Sequence, residues 1–154
     1  MKLWRLVRAP YLALDGAGTL RHGARYTSPG RAVVNFASEP GLAVLVALRY
    51  LEGDLDNAPD DHLLGWTEID AVPERLPVLA DPEAMRAAGD DWYDSGRSLL
   101  AAVASAVLPE ADVVMMNCTH PDAAKVARLA TRPFHFRECL HVPPMLGTYG
   151  EGAA

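Results

Sequence analysis

The sequence predicts a single soluble domain in which short strands alternate with helices. Composition, local patterning and the absence of any division point to it. Half of the 154 residues are apolar, 22% are charged and mean hydropathy is +0.02, so the chain is long enough to bury a real core. Strand-like alternation near the N-terminus and an apolar helix-like stretch after Pro40 supply both kinds of element. There is no internal repeat and no low-complexity segment. One domain over 1–145 is therefore expected, with a loose tail over 146–154 that carries three of its glycines within ten residues and has little to pack.

The elements follow in order. Leu3 to Val7 places Trp4 and Leu6 on one face and Arg5 on the other, which predicts a strand. A glycine-rich loop leads to a second strand, Ala32 to Phe36. Ser38 then precedes Glu39 and Pro40, predicting a helix with Ser38 as N-cap and proline in the first turn, where its missing N–H costs nothing. That helix, running to Leu51, is apolar nearly all round and is expected to be buried. An acidic turn region, Glu52 to Asp61, leads to a strand at Leu64 to Ile69. Pro73, Pro77 and Pro82 punctuate an irregular crossing, followed by short helices at Pro82 to Ala88 and Trp92 to Ser98. Strands are expected at Leu99 to Val103 and Asp112 to Asn117. The Thr119-His120-Pro121-Asp122 run starts a helix to Ala130, and Phe134 to Arg137 forms the last strand.

Charge is unevenly placed. The chain carries −6 overall, yet residues 1–31 hold Lys2, Arg5, Arg8, Arg21, Arg25 and Arg31 against Asp15 alone. They therefore carry +5 and the remainder −11. A broad basic surface for nucleic acid is excluded, whereas a local arginine cluster suits a small anion. At least half of these cations are expected to be ordinary surface charges. The longest apolar run, Gly41 to Leu48, falls well short of the roughly 20 residues that span a bilayer. The N-terminus builds no signal-peptide core, so the cytoplasm is the expected location. Cys118 and Cys139 are expected as free thiols in that reducing compartment.

Cys118-Thr119-His120 and Cys139-Leu140-His141 are two C-x-H units, and two such strands side by side offer a Cys2His2 zinc site. Zinc motifs usually space their ligands differently, and no metal is expected. No G-x-G-x-x-G, Walker loop or G-x-S-x-G elbow is present.

The most informative stretch is Gly23 to Leu51, an arginine loop, a strand and an apolar helix in tight succession. Beside it stand Leu3-Trp4-Arg5-Leu6, Asp15-Gly16-Ala17-Gly18, Gly23-Ala24-Arg25-Tyr26, Ser28-Pro29-Gly30, Val33-Val34 and Ser38-Glu39-Pro40. Further on come Trp92, Ser95-Gly96, Ala104-Ser105-Ala106-Val107, Asn117, His120-Pro121 and Phe134-His135-Phe136. In this order and spacing they resemble the RES domain family over nearly the whole chain. That family is named for an arginine, a glutamate and a serine, and its members are mostly toxins of bacterial toxin–antitoxin pairs.

The resemblance implies a compact α+β fold similar to that of ADP-ribosyltransferases, with small mixed or antiparallel sheets and flanking helices. It implies cleavage of the nicotinamide–ribose bond of NAD+, as substrate and not resident cofactor, with phosphate, water or a protein as acceptor. A helix-turn-helix antitoxin is the implied partner, and an oligomer is compatible with the pattern. Alternatively, the chain is a catalytically degenerate RES domain that serves as a nucleotide-binding or protein-interaction module. Arg25 and Ser105 match the family's arginine and serine and are the expected catalytic residues. An arginine fork suits a diphosphate or phosphate, and a carboxylate would face the oxocarbenium-like ribose.

Two further family positions differ here. The tyrosine expected about ten residues after the arginine is Asn35, and the glutamate about eleven beyond that is Val46. Valine cannot stabilise a cation. The nearest carboxylate, Glu39, precedes Val46 by two helical turns, roughly 10 Å along the axis; it is either a substrate contact or a first-turn acid facing the helix dipole. Tyr26 and Trp92 are either stacking platforms for a base or nicotinamide, or core aromatics. The expected substrate-binding set is Arg25, Tyr26, Asn35, Glu39, Trp92 and Ser105.

Overall fold

A computed structural model describes residues 1–51 and 57–140. Among these residues seven strands occur: β1 (Lys2–Arg8), β2 (Val33–Ala37), β3 (His62–Glu68), β4 (Glu74–Arg75), β5 (Leu100–Ala104), β6 (Asp112–Asn117) and β7 (Ala130–Pro133). Three α-helices, α1 (Ala17–His22), α2 (Pro40–Arg49) and α3 (Pro82–Ser95), accompany them. The strands form one mixed sheet in the order β4-β5-β6-β2-β1-β3-β7. Every neighbouring pair is antiparallel except β4 with β5. The expected α+β architecture is present, as one sheet instead of several small ones.

This sheet is built from two well-paired parts. β1 and β3 run in register from Lys2 opposite Glu68 to Arg8 opposite His62, and β2 and β6 from Val33 opposite Asn117 to Ala37 opposite Val113. Between the parts, β1 and β2 share one register pair, Trp4 opposite Ala37. Asn35 therefore lies beyond the only bridge to β1, with open sheet edge beside it.

Period-two alternation sorts the side chains. Val34, Phe36, Leu100, Ala102, Val114 and Met116 form one core with Leu3, covered by irregular segments that contribute Leu14, Val126 and Leu129. On the opposite face Val33, Val103, Val113 and Met115 pack against Met85 and Trp92 of α3. Ala37 and Leu64 pack on that face against Leu42 and Ala43 of α2. Burying each large side chain is worth about 1.5–3 kcal/mol, so this sheet centre anchors the molecule.

The structure corrects several expected elements. Glu39, not Ser38, caps α2: its Oε1 accepts from the Leu42 N–H at 2.9 Å, and Pro40 occupies the first turn. Ser38 instead fastens the end of β2 to β6, its Oγ accepting from the Asp112 N–H at 2.8 Å. α2 ends at Arg49 and buries only Leu42 and Ala43. It rests on the sheet with one side, and Leu45 stays 42% exposed.

The expected glycine loop contains α1, and the two helices expected after Pro82 are one helix ending at Gly96, whose φ of 60° suits its left-handed cap. β4 lies in the stretch expected to be irregular. The expected helix to Ala130 is a 3-10 turn over Pro121–Lys125, with β7 after it, and Phe136–Leu140 is another 3-10 turn where a strand was expected. β7 pairs only with β3 at the sheet edge. The expected tail over 146–154 and His141 lie outside the described residues. No helix among the described residues is long and apolar enough to cross a membrane.

Candidate functional site

A cavity of about 350 Å³ opens where the loop after α1, the edge of β2, the last turn of α2 and the end of β5 meet. Arg25, Tyr26, Asn35, Val46 and Ser105 all line it, though they are spread over 81 positions of sequence. Four of the six expected substrate-binding residues are thus brought together. Val46, where the resemblance led one to expect a glutamate, stands in the cavity wall.

The Arg25 loop is held by its backbone. Gly23, with φ of 69°, ends α1, and the Ala24 N–H donates to the Thr27 carbonyl at 2.8 Å. The Ser28 N–H donates to Asp90 Oδ1 of α3 at 2.8 Å. Gly89 of α3 makes this approach possible, because a Cβ there would lie 1.8 Å from the Tyr26 carbonyl oxygen. α1 is itself seated on β2. Thr19 Oγ1 accepts from the Val33 N–H at 2.8 Å, and a Cβ on Gly16 would fall 2.6 Å from the Ala32 and Val33 backbone.

Several of the N-terminal cations are engaged away from the cavity, and Arg25 is not among them. Arg8 is paired with Asp61 at 2.8 Å, and Arg31 with Asp94 at 2.6 Å and Asp90 at 3.3 Å. Lys2 lies over the Trp4 and Trp66 rings. Arg25 is exposed, has no ion pair among the described residues, and holds its guanidinium carbon 5.9 Å from the Tyr26 ring centroid. Burial pushes the Tyr26 phenol above its ordinary value, while Arg25 and Arg49 pull it back and Tyr50 pushes it further up. Those four groups therefore share one local field.

Asn35 and Ser105 form the polar floor. Asn35 Oδ1 is buried with no hydrogen-bond partner among the described residues, an expensive state for a carbonyl unless something donates to it. Ser105 is buried, and its Oγ accepts from the Val107 N–H at 3.3 Å. A second cavity of about 350 Å³ adjoins the first through Gly23 and Asn35 and is lined by Arg5, Asp15 and Thr19. Burial lowers the Arg5 guanidinium from its ordinary value, with Cys118 and Asp15 opposing that shift.

Two expected contacts are not brought to the cavity. Trp92 is fully buried, with its Nε1–H donating to Ser98 Oγ at 2.9 Å, so it is a core aromatic and offers no stacking face. Glu39 spends its carboxylate on the α2 cap. Conversely, Arg49 and Tyr50 line the cavity and were not expected. They stand three and four residues after Val46, on the same helical stripe, and that spacing is the signal that could have found them.

His120 caps the Pro121–Lys125 turn, its Nδ1 accepting from the Asp122 N–H at 3.1 Å. Cys118 is half-buried, and burial pushes its thiol up to about 11. No group of three or more metal-ligating side chains occurs among the described residues.

The RES domain family model matches residues 2–137. A protein named Toxin Res from Pseudomonas putida is 36% identical over 130 residues, covering 80% of this chain and 88% of its own length. A protein of a Sphingobium species named Prs ADP-ribosylating toxin is 34% identical, covering 71% and 75%. Among solved structures, a chain of the M. tuberculosis MbcT–MbcA toxin–antitoxin complex superposes with a TM-score of 0.69 at 15% identity, covering 86% of this chain and 83% of that one. Sequence and fold thus define one class, the RES-type toxins. The chain belongs to the RES domain family.

Proposed function

We propose that this chain is the toxin of a toxin–antitoxin pair and that it breaks the nicotinamide–ribose bond of NAD+. The observation that carries this reading is the convergence of Arg25, Tyr26, Asn35 and Ser105 on one cavity of a RES-family fold. In the proposed reaction the C1′–N bond breaks and its electron pair leaves with nicotinamide, which becomes neutral. An oxygen of water, phosphate or a protein side chain then bonds to C1′. Arg25 holds the diphosphate or the incoming phosphate by paired N–H donors, and Ser105 orients a ribose hydroxyl or phosphate oxygen. Asn35 offers its side-chain amide to the ligand, and the face of Tyr26 packs against a ring.

The relatives' names support the toxin role, and one of them describes ADP-ribosylation by that relative. A helix-turn-helix antitoxin is the proposed partner. One observation favours a second reading, a RES domain that binds nucleotide without turnover: Val46 faces the cavity, and no carboxylate among the described residues lines it.

The decisive assay is nicotinamide release from NAD+ by the antitoxin-free protein, with and without phosphate. Release that Arg25→Ala lowers by about 10²–10³-fold is expected, and phosphate dependence names the acceptor. A folded protein that binds NAD+ but releases nothing favours the binding module or a transferase that lacks its protein acceptor. Expression should arrest growth, and Arg25→Ala should relieve the arrest.

A further inference from the structure

Arg25 sits in a turn whose base is fastened to α3. The Ala24 N–H donates to the Thr27 carbonyl at 2.8 Å, which closes the turn around Arg25 and Tyr26. The next N–H along the chain, that of Ser28, donates to Asp90 Oδ1 at 2.8 Å across 62 positions of sequence. Beside that bond the Tyr26 carbonyl oxygen rests on Gly89. Two consecutive residues of α3 thus fix the backbone that follows Arg25.

Asp90 is itself well anchored. Its side chain is only 18% exposed, and it stands between Met85 and Trp92, which α3 buries against the sheet. The Tyr93 hydroxyl, from the same helix, accepts from the Ala32 N–H at 3.2 Å and so holds the far end of the loop. Arg31 also approaches Asp90, at 3.3 Å, but its two-pronged contact is with Asp94, at 2.9 and 2.6 Å. Arg31 therefore keeps its main partner without Asp90, whereas the Ser28 N–H loses the carboxylate it donates to.

Arg25 is exposed, so the reach of its guanidinium follows from where this backbone stands. A fork that must meet two oxygens at once tolerates little displacement. We propose that Asp90 is a positioning residue for the reaction: through the Ser28 N–H it holds the Arg25 loop where the guanidinium engages the diphosphate or the incoming phosphate with paired donors. This rests on the nucleotide reading of the cavity. The role belongs to the hydrogen bond, and the contact of Asp90 with Arg31 is secondary to it.

Calorimetric titration of the full chain with carba-NAD+, an uncleavable analogue of NAD+, tests it. Asp90→Ala should weaken binding about tenfold. Asp90→Asn keeps an oxygen for the Ser28 N–H and should stay within about threefold of the parent, and so should Arg31→Gln. A residue that only stabilised the fold would lower the melting temperature and change affinity, if at all, equally whatever stands at position 25. In an Arg25→Lys background, by contrast, Asp90→Ala should cost at most about twofold, because lysine offers a point charge on a flexible stem in place of the fork. If Asp90→Ala does not fold, Asp90→Ser, whose hydroxyl stops short of the Ser28 N–H, takes its place.

Parent-like affinity in Asp90→Ala, or equal losses in both backgrounds, would overturn the positioning role and leave the nucleotide site standing. A comparable loss in Asp90→Asn or Arg31→Gln would also overturn it, since charge and not the hydrogen bond would then be at work. If the folded parent does not bind carba-NAD+, the nucleotide reading falls and the positioning role with it.

Discussion

Asn35 shows most directly how the surroundings of a single residue set a cost in stability. Its Oδ1 is buried without a partner among the described residues, at the junction of the two adjoining cavities. Replacing an unpaired buried carbonyl by a hydrocarbon of similar shape removes a desolvation penalty. Asn35→Leu should therefore raise the stability of the ligand-free protein by about 1 kcal/mol in thermal or urea unfolding, while nucleotide affinity falls. A lower melting temperature would show that the carbonyl is satisfied in solution. Sequence patterning made Arg25 legible because it stands in a glycine and proline loop among other cations. It could not separate Arg25 from Arg31, six residues on. The structure separates them through Asp90 and Asp94 of α3, which claim Arg31. Trp92 was ambiguous for a related reason: a core aromatic and a stacking platform have the same composition, and only burial distinguishes them.

Among the elements, α3 does the most to shape the site, although it supplies none of the cavity's lining. Gly89 admits the Tyr26 backbone to within a distance that no side chain would allow. Gly89→Ala should displace the Arg25 loop or α3, costing more than about 2 kcal/mol in chemical unfolding and abolishing nucleotide binding. A variant as stable as the parent would show that the two segments separate easily. The strands of the sheet centre were readable because their residues are apolar on both faces and bounded by turn residues. β7 was not, since all four of its residues are exposed and its pairing with β3 is the only thing that makes it a strand. α2 was readable as a helix, but its N-cap was shifted by one residue. Ser38 and Glu39 can both cap, and the choice fell to β6, where the Asp112 N–H engages Ser38.

Over the whole molecule, exposed ion pairs tie distant segments together: Arg8 with Asp61, Arg31 with Asp94 and Arg97 with Glu74. Each arginine, through its side-chain hydrogen bonds, holds its partner's carboxyl below the ordinary value. The unfolded chain thus takes up protons first as pH falls. The stabilisation is present in full well above about pH 4 and is lost as pH falls through the lowered native values. Melting temperature should stay level between about pH 7 and 5, drop below about pH 4, and drop less steeply in Arg97→Gln. Because these pairs are largely exposed, each contributes modestly and salt should weaken the effect. A steep loss already at pH 6 would show that these ion pairs do not set the pH dependence. The sequence by itself determined an α+β domain with strands at its centre, an arginine loop ahead of a capped helix, and membership of the RES family, because periodicity, capping and motif order are local and survive in one dimension. Only the tertiary structure decided that Val46, Arg49 and Tyr50 share a cavity with Arg25 and Ser105, that Glu39 and Trp92 do not, and that Asn35 Oδ1 has no partner among the described residues, beside a β1–β2 junction bridged at one point. Those outcomes depend on which segments meet across the β1–β2 junction and on α3, and such meetings are fixed by packing between residues far apart in the chain.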